Sequence, residues 1–144
     1  MNYLFVFLLP FIFSCEKVIA EYSISVRDEA LQQKYLKEHN KLRYAEKIQP
    51  LKWDISLEKH AKSWVNHLSD ICKISDSRGS GYGEAIDQSW QMRHDSPRLV
   101  VKRWSKYVDH ILSPETRLIG CGFAYCEDPF RYGRSRLIVC NYFP

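Results

Sequence analysis

No apolar stretch in this sequence of 144 residues is long enough to carry a helix across a bilayer. The longest, Tyr3 to Phe13, has the length of a signal-peptide h-region, although no Lys or Arg precedes it. Val18 and Ala20 are small residues placed as at a cleavage site, so residues 1–20 are expected to be a signal peptide and 21–144 one secreted, extracellular domain without a transmembrane anchor. Nor is there a large excess of one charge. The net +4 is ordinary for an exported domain and gives no reason to expect nucleic acid as a partner. Internal repeats and low-complexity segments are missing too, and the 14% aromatic content belongs to a packed globule.

Paired C-x-x-C motifs are absent, as is C-x-x-C with histidines, which argues against a structural zinc site. Cys15 leaves with the signal, so Cys72, Cys121, Cys126 and Cys140 remain, an even set that predicts two disulfides in an oxidising compartment. Four cysteines allow three pairings, and spacing does not choose among them. With all four used as bridges, none is left as a nucleophile. Gly79-Ser80-Gly81-Tyr82-Gly83 has neither the G-x-S-x-G of a nucleophile elbow nor the G-K-[ST] that ends a phosphate loop. Its glycines predict a loop that turns the chain into Glu84.

What is present reads as helices followed by a hairpin. Leu31, Tyr35, His39 and Leu42 recur at helical spacing from Asp28 to about Ala45. Leu57, Ala61, Trp64 and Leu68 do so again beyond the Pro50-Leu51 break, with Asp54 or Ser56 as the cap. Ser96-Pro97 opens a third helix whose stripe, Val101, Trp104, Val108 and Ile111, predicts about four turns before Pro114. Leu118 to Cys126 and Arg136 to Tyr142 have strand composition and predict an antiparallel hairpin through Glu127-Asp128-Pro129 and Gly133. The class is α+β, a sheet covered by helices.

Several single residues that could bind a ligand also have plainer roles. His60 and His67 share a helix face, but seven residues is not the usual spacing of a helical zinc pair, and exposed side chains are expected. His39 reads as a hydrogen-bonded structural residue, with Arg43 snorkelling from the same face. Arg98, Lys102 and Lys106 repeat every four residues beside Arg103, and Arg131, Arg134 and Arg136 surround the hairpin loop with Tyr132. Solvated faces are the default for such charges, although sulfated glycans or anionic lipid headgroups would also suit them.

Taken in order, several fragments resemble the CAP superfamily of cysteine-rich secretory, antigen 5 and pathogenesis-related proteins. His39-Asn40 with Arg43 is similar to its H-N-x-x-R. Pro50-Leu51-Lys52-Trp53-Asp54 with Leu57, Ala61 and Trp64 is similar to P-L-x-W-D…L…A…W. Gly83-Glu84-Ala85-Ile86 resembles G-E-N-[IL]. Thr116, Ile119-Gly120-Cys121-Gly122 and Val139-Cys140-Asn141-Tyr142 resemble the closing T-x-x-[IV]-G-C-[AG] and V-C-N-Y. The resemblance implies an α-β-α sandwich with an antiparallel sheet packed between helices. It also implies a Cys121–Cys140 bond, leaving Cys72 with Cys126. Tyr82 and Phe143 stand near where some members have a further cysteine pair.

Many members hold two His and two acidic residues in a central cleft, some with a divalent metal. By the resemblance Glu84 occupies one of these places. Asp76, before Ser77, stands where the first His belongs, and Tyr107 where the second acidic residue belongs, three after Trp104. The H-[YF]-T-Q-x-x-W motif that supplies the other His is missing, with His110 the nearest substitute. Glu84, His110, Asp76 and Tyr107 are therefore the cleft candidates, with no catalytic residue, no metal and no cofactor expected. The implied role is a secreted, non-enzymatic protein that binds a small hydrophobic ligand, a sterol or fatty acid, in a groove lined by Trp90 and Met92. The alternative is a receptor ligand or immune modulator that contacts a cell-surface protein. A metal-dependent hydrolase is a third reading, weakened by Asp76, Tyr107 and the lost histidine motif.

Overall fold

The computed structural model describes residues 28–90, 96–127 and 133–144, and the chain divides into two compact units, Met1–Leu31 and Gln32–Pro144. The predicted signal segment, Cys15, Met92, the hairpin residues 128–132 and with them Arg131 and Tyr132 lie outside the described residues. Helix α1 covers residues 28–45. Its buried side chains in the second unit are Gln32, Tyr35, His39 and Arg43, while Leu42 is half-buried. The apolar count thus misplaces the edge of the face. Gln32 and Arg43 go inside because each finds acceptors there, which removes most of the penalty for burying a polar head.

After the two-residue strand β1 (Lys52–Trp53), helix α2 runs over Ile55–Ile71. Asp54 caps it, its Oδ1 accepting from the Leu57 amide at 2.8 Å. Cys72 ends it in the left-handed conformation, φ 50° and ψ 41°. Strand β2 (Gly83–Trp90) and helix α3 (Pro97–Trp104) follow, then a 3₁₀ turn at Asp109–Ile111 and the hairpin β3 (Leu118–Glu127) and β4 (Arg134–Phe143).

The four strands lie in the order β1-β3-β4-β2. Both the β3/β4 and β4/β2 pairs are antiparallel, Cys121 facing Cys140 and Glu84 facing Asn141. The short β1 pairs parallel to β3, so the sheet is mixed where a wholly antiparallel one was expected. Helix α2 lies directly on β3: a Cβ at Gly120 or Gly122 would collide with α2 backbone at Leu57–Glu58 and Ala61–Lys62. Ala61, Val65, Leu68, Leu137 and Val139 form the core on that face with the Cys72–Cys126 disulfide. On the opposite face Tyr35 of α1 packs against Phe123 and Trp104. The fold is an α+β sandwich with helices on both sides of the sheet, as expected. Both implied disulfides, Cys72–Cys126 and Cys121–Cys140, are formed.

The expected length of the third helix needs correction. Helix α3 ends at Trp104, about two turns long, and Val108 is extended at φ −113° and ψ 98°. The reason is Arg43, which draws the carbonyls of Ile111, Ser113 and Thr116 around its guanidinium; a continuous helix would hold the first of these elsewhere. Strand β2 is hard to see in the sequence because its buried positions are Ala85, Asp87 and Ser89, so the alternation carries almost no apolar signal.

Candidate functional site

His39 is fully buried on α1. Its Nδ1 lies 2.8 Å from the Tyr35 carbonyl, which can only accept, so Nδ1 carries the proton. Bare Nε2 then accepts from the Tyr142 hydroxyl at 2.8 Å. Burial lowers the His39 pKa to about 4, the Tyr35 carbonyl opposing and the Arg43 charge adding to the effect. Burial likewise pushes the Tyr142 phenol well above its ordinary value, with Tyr35 adding to it. The structural role expected for His39 is what the geometry gives.

Arg43 does not snorkel. It is fully buried, with Nε donating to Gln49 O, Nη1 to Ile111 O and Ser113 O, and Nη2 to Thr116 O, at 2.6–3.0 Å. Burial lowers its pKa from the usual arginine value, with the Arg117 charge adding to it. It joins the end of α1 to the segment leading into β3.

The cleft candidates do not converge. Glu84 and Asn141 are register partners with their side chains on the α2 side of the sheet. Glu84 Oε1 accepts from the Ser77 amide at 2.9 Å and Oε2 from Asn141 Nδ2 at 3.4 Å. Asn141 Oδ1 in turn accepts from His60 Nδ1 at 3.1 Å. Gly83 precedes Glu84 and so faces the other way. A Cβ there would strike the ring of His110, which lies nearly parallel to Tyr142 (12°, centroids 6.3 Å apart). The sheet therefore stands between Glu84 and His110. Asp76 is exposed beside Ser77, and Tyr107 is 80% exposed. Among the described residues no group of three or more His, Cys, Asp or Glu side chains could hold a metal ion. The donor set does not fit the metal cleft that the resemblance brings to mind.

His60 was expected to be exposed and is half-buried; it meets Tyr82 edge-on at 5.0 Å as well as Asn141. The signal for it was available, since His60 lies three residues after Leu57 and four before Trp64, beside the buried stripe. His67 is exposed and stacks on Trp64 at 4.8 Å. Tyr82 and Phe143 do meet, edge to face at 5.9 Å, so an aromatic contact occupies the place of a further bridge. A second missed group is Glu58, which accepts from Trp53 Nε1 and Gln32 Nε2 and pairs with Lys62. Burial alone would raise its pKa, but the hydrogen bonds from Lys62, Trp53 and Gln32 outweigh that and hold it low.

On the surface, Arg98, Lys102 and Lys106 are exposed on and after α3, while Arg103 pairs with Asp87. Arg134 lies over the Tyr125 ring, 4.4 Å from its centroid. Arg136 is buried and so is not part of an exposed basic cluster. Trp90, half-buried, packs against the α2-side core.

The family model described as CAP, the cysteine-rich secretory protein family, matches residues 36–142. Pathogenesis-related protein 1A of Nicotiana tabacum is 24% identical over 140 residues, spanning 85% of this chain and 80% of its own length. Pathogenesis-related protein 1 of Arabidopsis thaliana is 32% identical over 66 residues, 46% of this chain, and the match covers 40% of that protein. Among solved structures, that of BmVAL-1 superposes with a TM-score of 0.60 at 20% identity, covering 79% of this chain and 76% of the other.

Proposed function

The chain belongs to the CAP, or cysteine-rich secretory protein, family, and from that premise we propose that it is a secreted, non-enzymatic protein that acts by binding a small hydrophobic molecule such as a sterol or fatty acid. The observation that supports the non-enzymatic part of this reading is the engagement of Glu84. Both of its carboxylate oxygens are taken by Ser77 and Asn141, and the sheet separates it from His110. A carboxylate held this way supports the Ser77–Gly83 loop and is poorly placed to exchange protons with a substrate. Buried His39 and Arg43 are likewise committed to hydrogen bonds within the fold.

Secretion is supported by the apolar amino-terminal run and by two disulfides, which persist in oxidising compartments. A ligand groove of the kind expected from the sequence would include Trp90, which is half-buried. The test is binding of a fluorescent sterol or fatty acid by the mature chain. Binding should survive chelation of divalent metals and the Glu84→Gln substitution; hydrolysis of ester substrates that vanishes under either treatment would overturn the reading. A receptor ligand would instead lose cell attachment on charge reversal at Arg98, Lys102 and Lys106 while keeping ligand uptake.

A further inference from the structure

Helix α3 has two unlike halves. Its inward side buries Val100, Val101 and Trp104, and Trp104 Nε1 donates to the Ile86 carbonyl at 3.1 Å. The Arg103–Asp87 pair adds a second tether to β2. The helix is thus fixed in rotation, and what it shows outward cannot turn inside. Outward stand Arg98 and Lys102, with Lys106 in the turn just past the helix, all exposed, none in an ion pair with a described residue. Asp109 is the one acidic residue in the stretch 96–111. Between and beside these cations are Leu99, 54% exposed, and Tyr107, 80% exposed.

Arg98 and Lys102 lie about 6 Å apart along the helix axis and Lys106 follows in the turn after it, a spacing at which their fields overlap within about one Debye length. A single exposed leucine is unremarkable. A leucine and a tyrosine set among cations that pair with no described residue, on a tethered helix and the turn that follows it, form the pattern of a surface that lies in a lipid interface, cations at the headgroups and apolar parts beneath them. We propose that this face docks the folded protein onto anionic lipid bilayers. A sulfated glycan would engage the cations and leave Leu99 and Tyr107 idle, so the mixture of side chains favours lipid. Docking requires no occupied ligand groove and goes beyond the binding role proposed above.

The experiment is co-sedimentation of the mature chain with phosphatidylcholine vesicles, with and without phosphatidylserine. Sedimentation should require phosphatidylserine and weaken with added salt. Replacing Arg98, Lys102 and Lys106 together by Gln should lower partition by roughly a hundredfold. The paired substitutions Leu99→Ser and Tyr107→Ser should weaken vesicle binding while leaving retention on heparin unchanged; all of these side chains are exposed, and unaltered thermal melts confirm folding. No dependence on phosphatidylserine would overturn the proposal. So would Leu99→Ser/Tyr107→Ser protein that sediments like the parent, which marks a general polyanion surface. Sterol uptake by the same variants without vesicles keeps a failure here distinct from a failure of the ligand-carrier reading.

Discussion

Buried His39 and buried Arg43 are four residues apart on one helix and solve the same difficulty in opposite ways. Arg43 keeps its charge and surrounds it with four carbonyl oxygens. Hydrogen bonds from a charged donor are among the stronger ones, and lysine could not reproduce the planar fork. His39 gives up its charge. Its pKa of about 4 lies below the ordinary 6.5, so as pH falls through 6.5 the unfolded chain takes up a proton that folded His39 refuses. Stability is full above pH 6.5 and is lost at about 1.4 kcal/mol per pH unit on the way to 4, roughly 3 kcal/mol in all. Urea unfolding at pH 7 and at pH 4.5 should show most of that difference, and His39→Gln should flatten it. Glu58, held low, acts in a separate window below the ordinary glutamate value of 4.5, where protonation weakens its contacts with Trp53, Gln32 and Lys62. None of these depths is visible in the sequence. The motif letters mark His39 and Arg43 as special, but only the acceptors at Tyr35, Ile111, Ser113 and Thr116 say why.

Among the elements, helices were legible where burial is apolar and periodic. Leu57, Ala61 and Leu68 are buried in α2 as the spacing requires, and Asp54 is its cap. The strands of the hairpin were legible for the same reason, since Ile119, Cys121, Leu137, Ile138 and Val139 are all buried. Legibility failed at β2, where Ala85, Asp87 and Ser89 face inward, and at the end of α3, where distant Arg43 overrides the local pattern. Of the candidate site, the family fragments gave Glu84 its place. They gave no warning that Asn141 and His60 complete its surroundings on one face while His110 falls on the other. The close approach of α2 to β3 depends on Gly120 and Gly122. Gly122→Ala would insert a methyl into the backbone of Ala61–Lys62, which cannot rotate aside as a side chain could. Overpacking of this kind should cost about 3 kcal/mol, read as a lower urea midpoint at unchanged m-value.

For the molecule as a whole, two disulfides carry part of the stability that one small core cannot supply alone. Cys72–Cys126 spans 54 residues and joins the end of α2 to the end of β3; Cys121–Cys140 spans 19 and crosses the hairpin. By the chain-entropy account the longer bond contributes about 4 kcal/mol. The double substitution Cys72→Ala/Cys126→Ala should therefore remove a large fraction of a typical domain's stability, measurable by denaturant unfolding of protein whose intact mass shows no free thiol.

The hydrogen bond from the Trp104 indole to the Ile86 carbonyl has a meaning at this scale as well. Strand order leaves β2 at an edge of the sheet, eight residues long, and such edges recruit matching strands from other molecules. Trp104 takes up a backbone acceptor within that strand and ties α3 to it. An edge strand with one acceptor already engaged offers a shorter free run of backbone to a strand from another molecule.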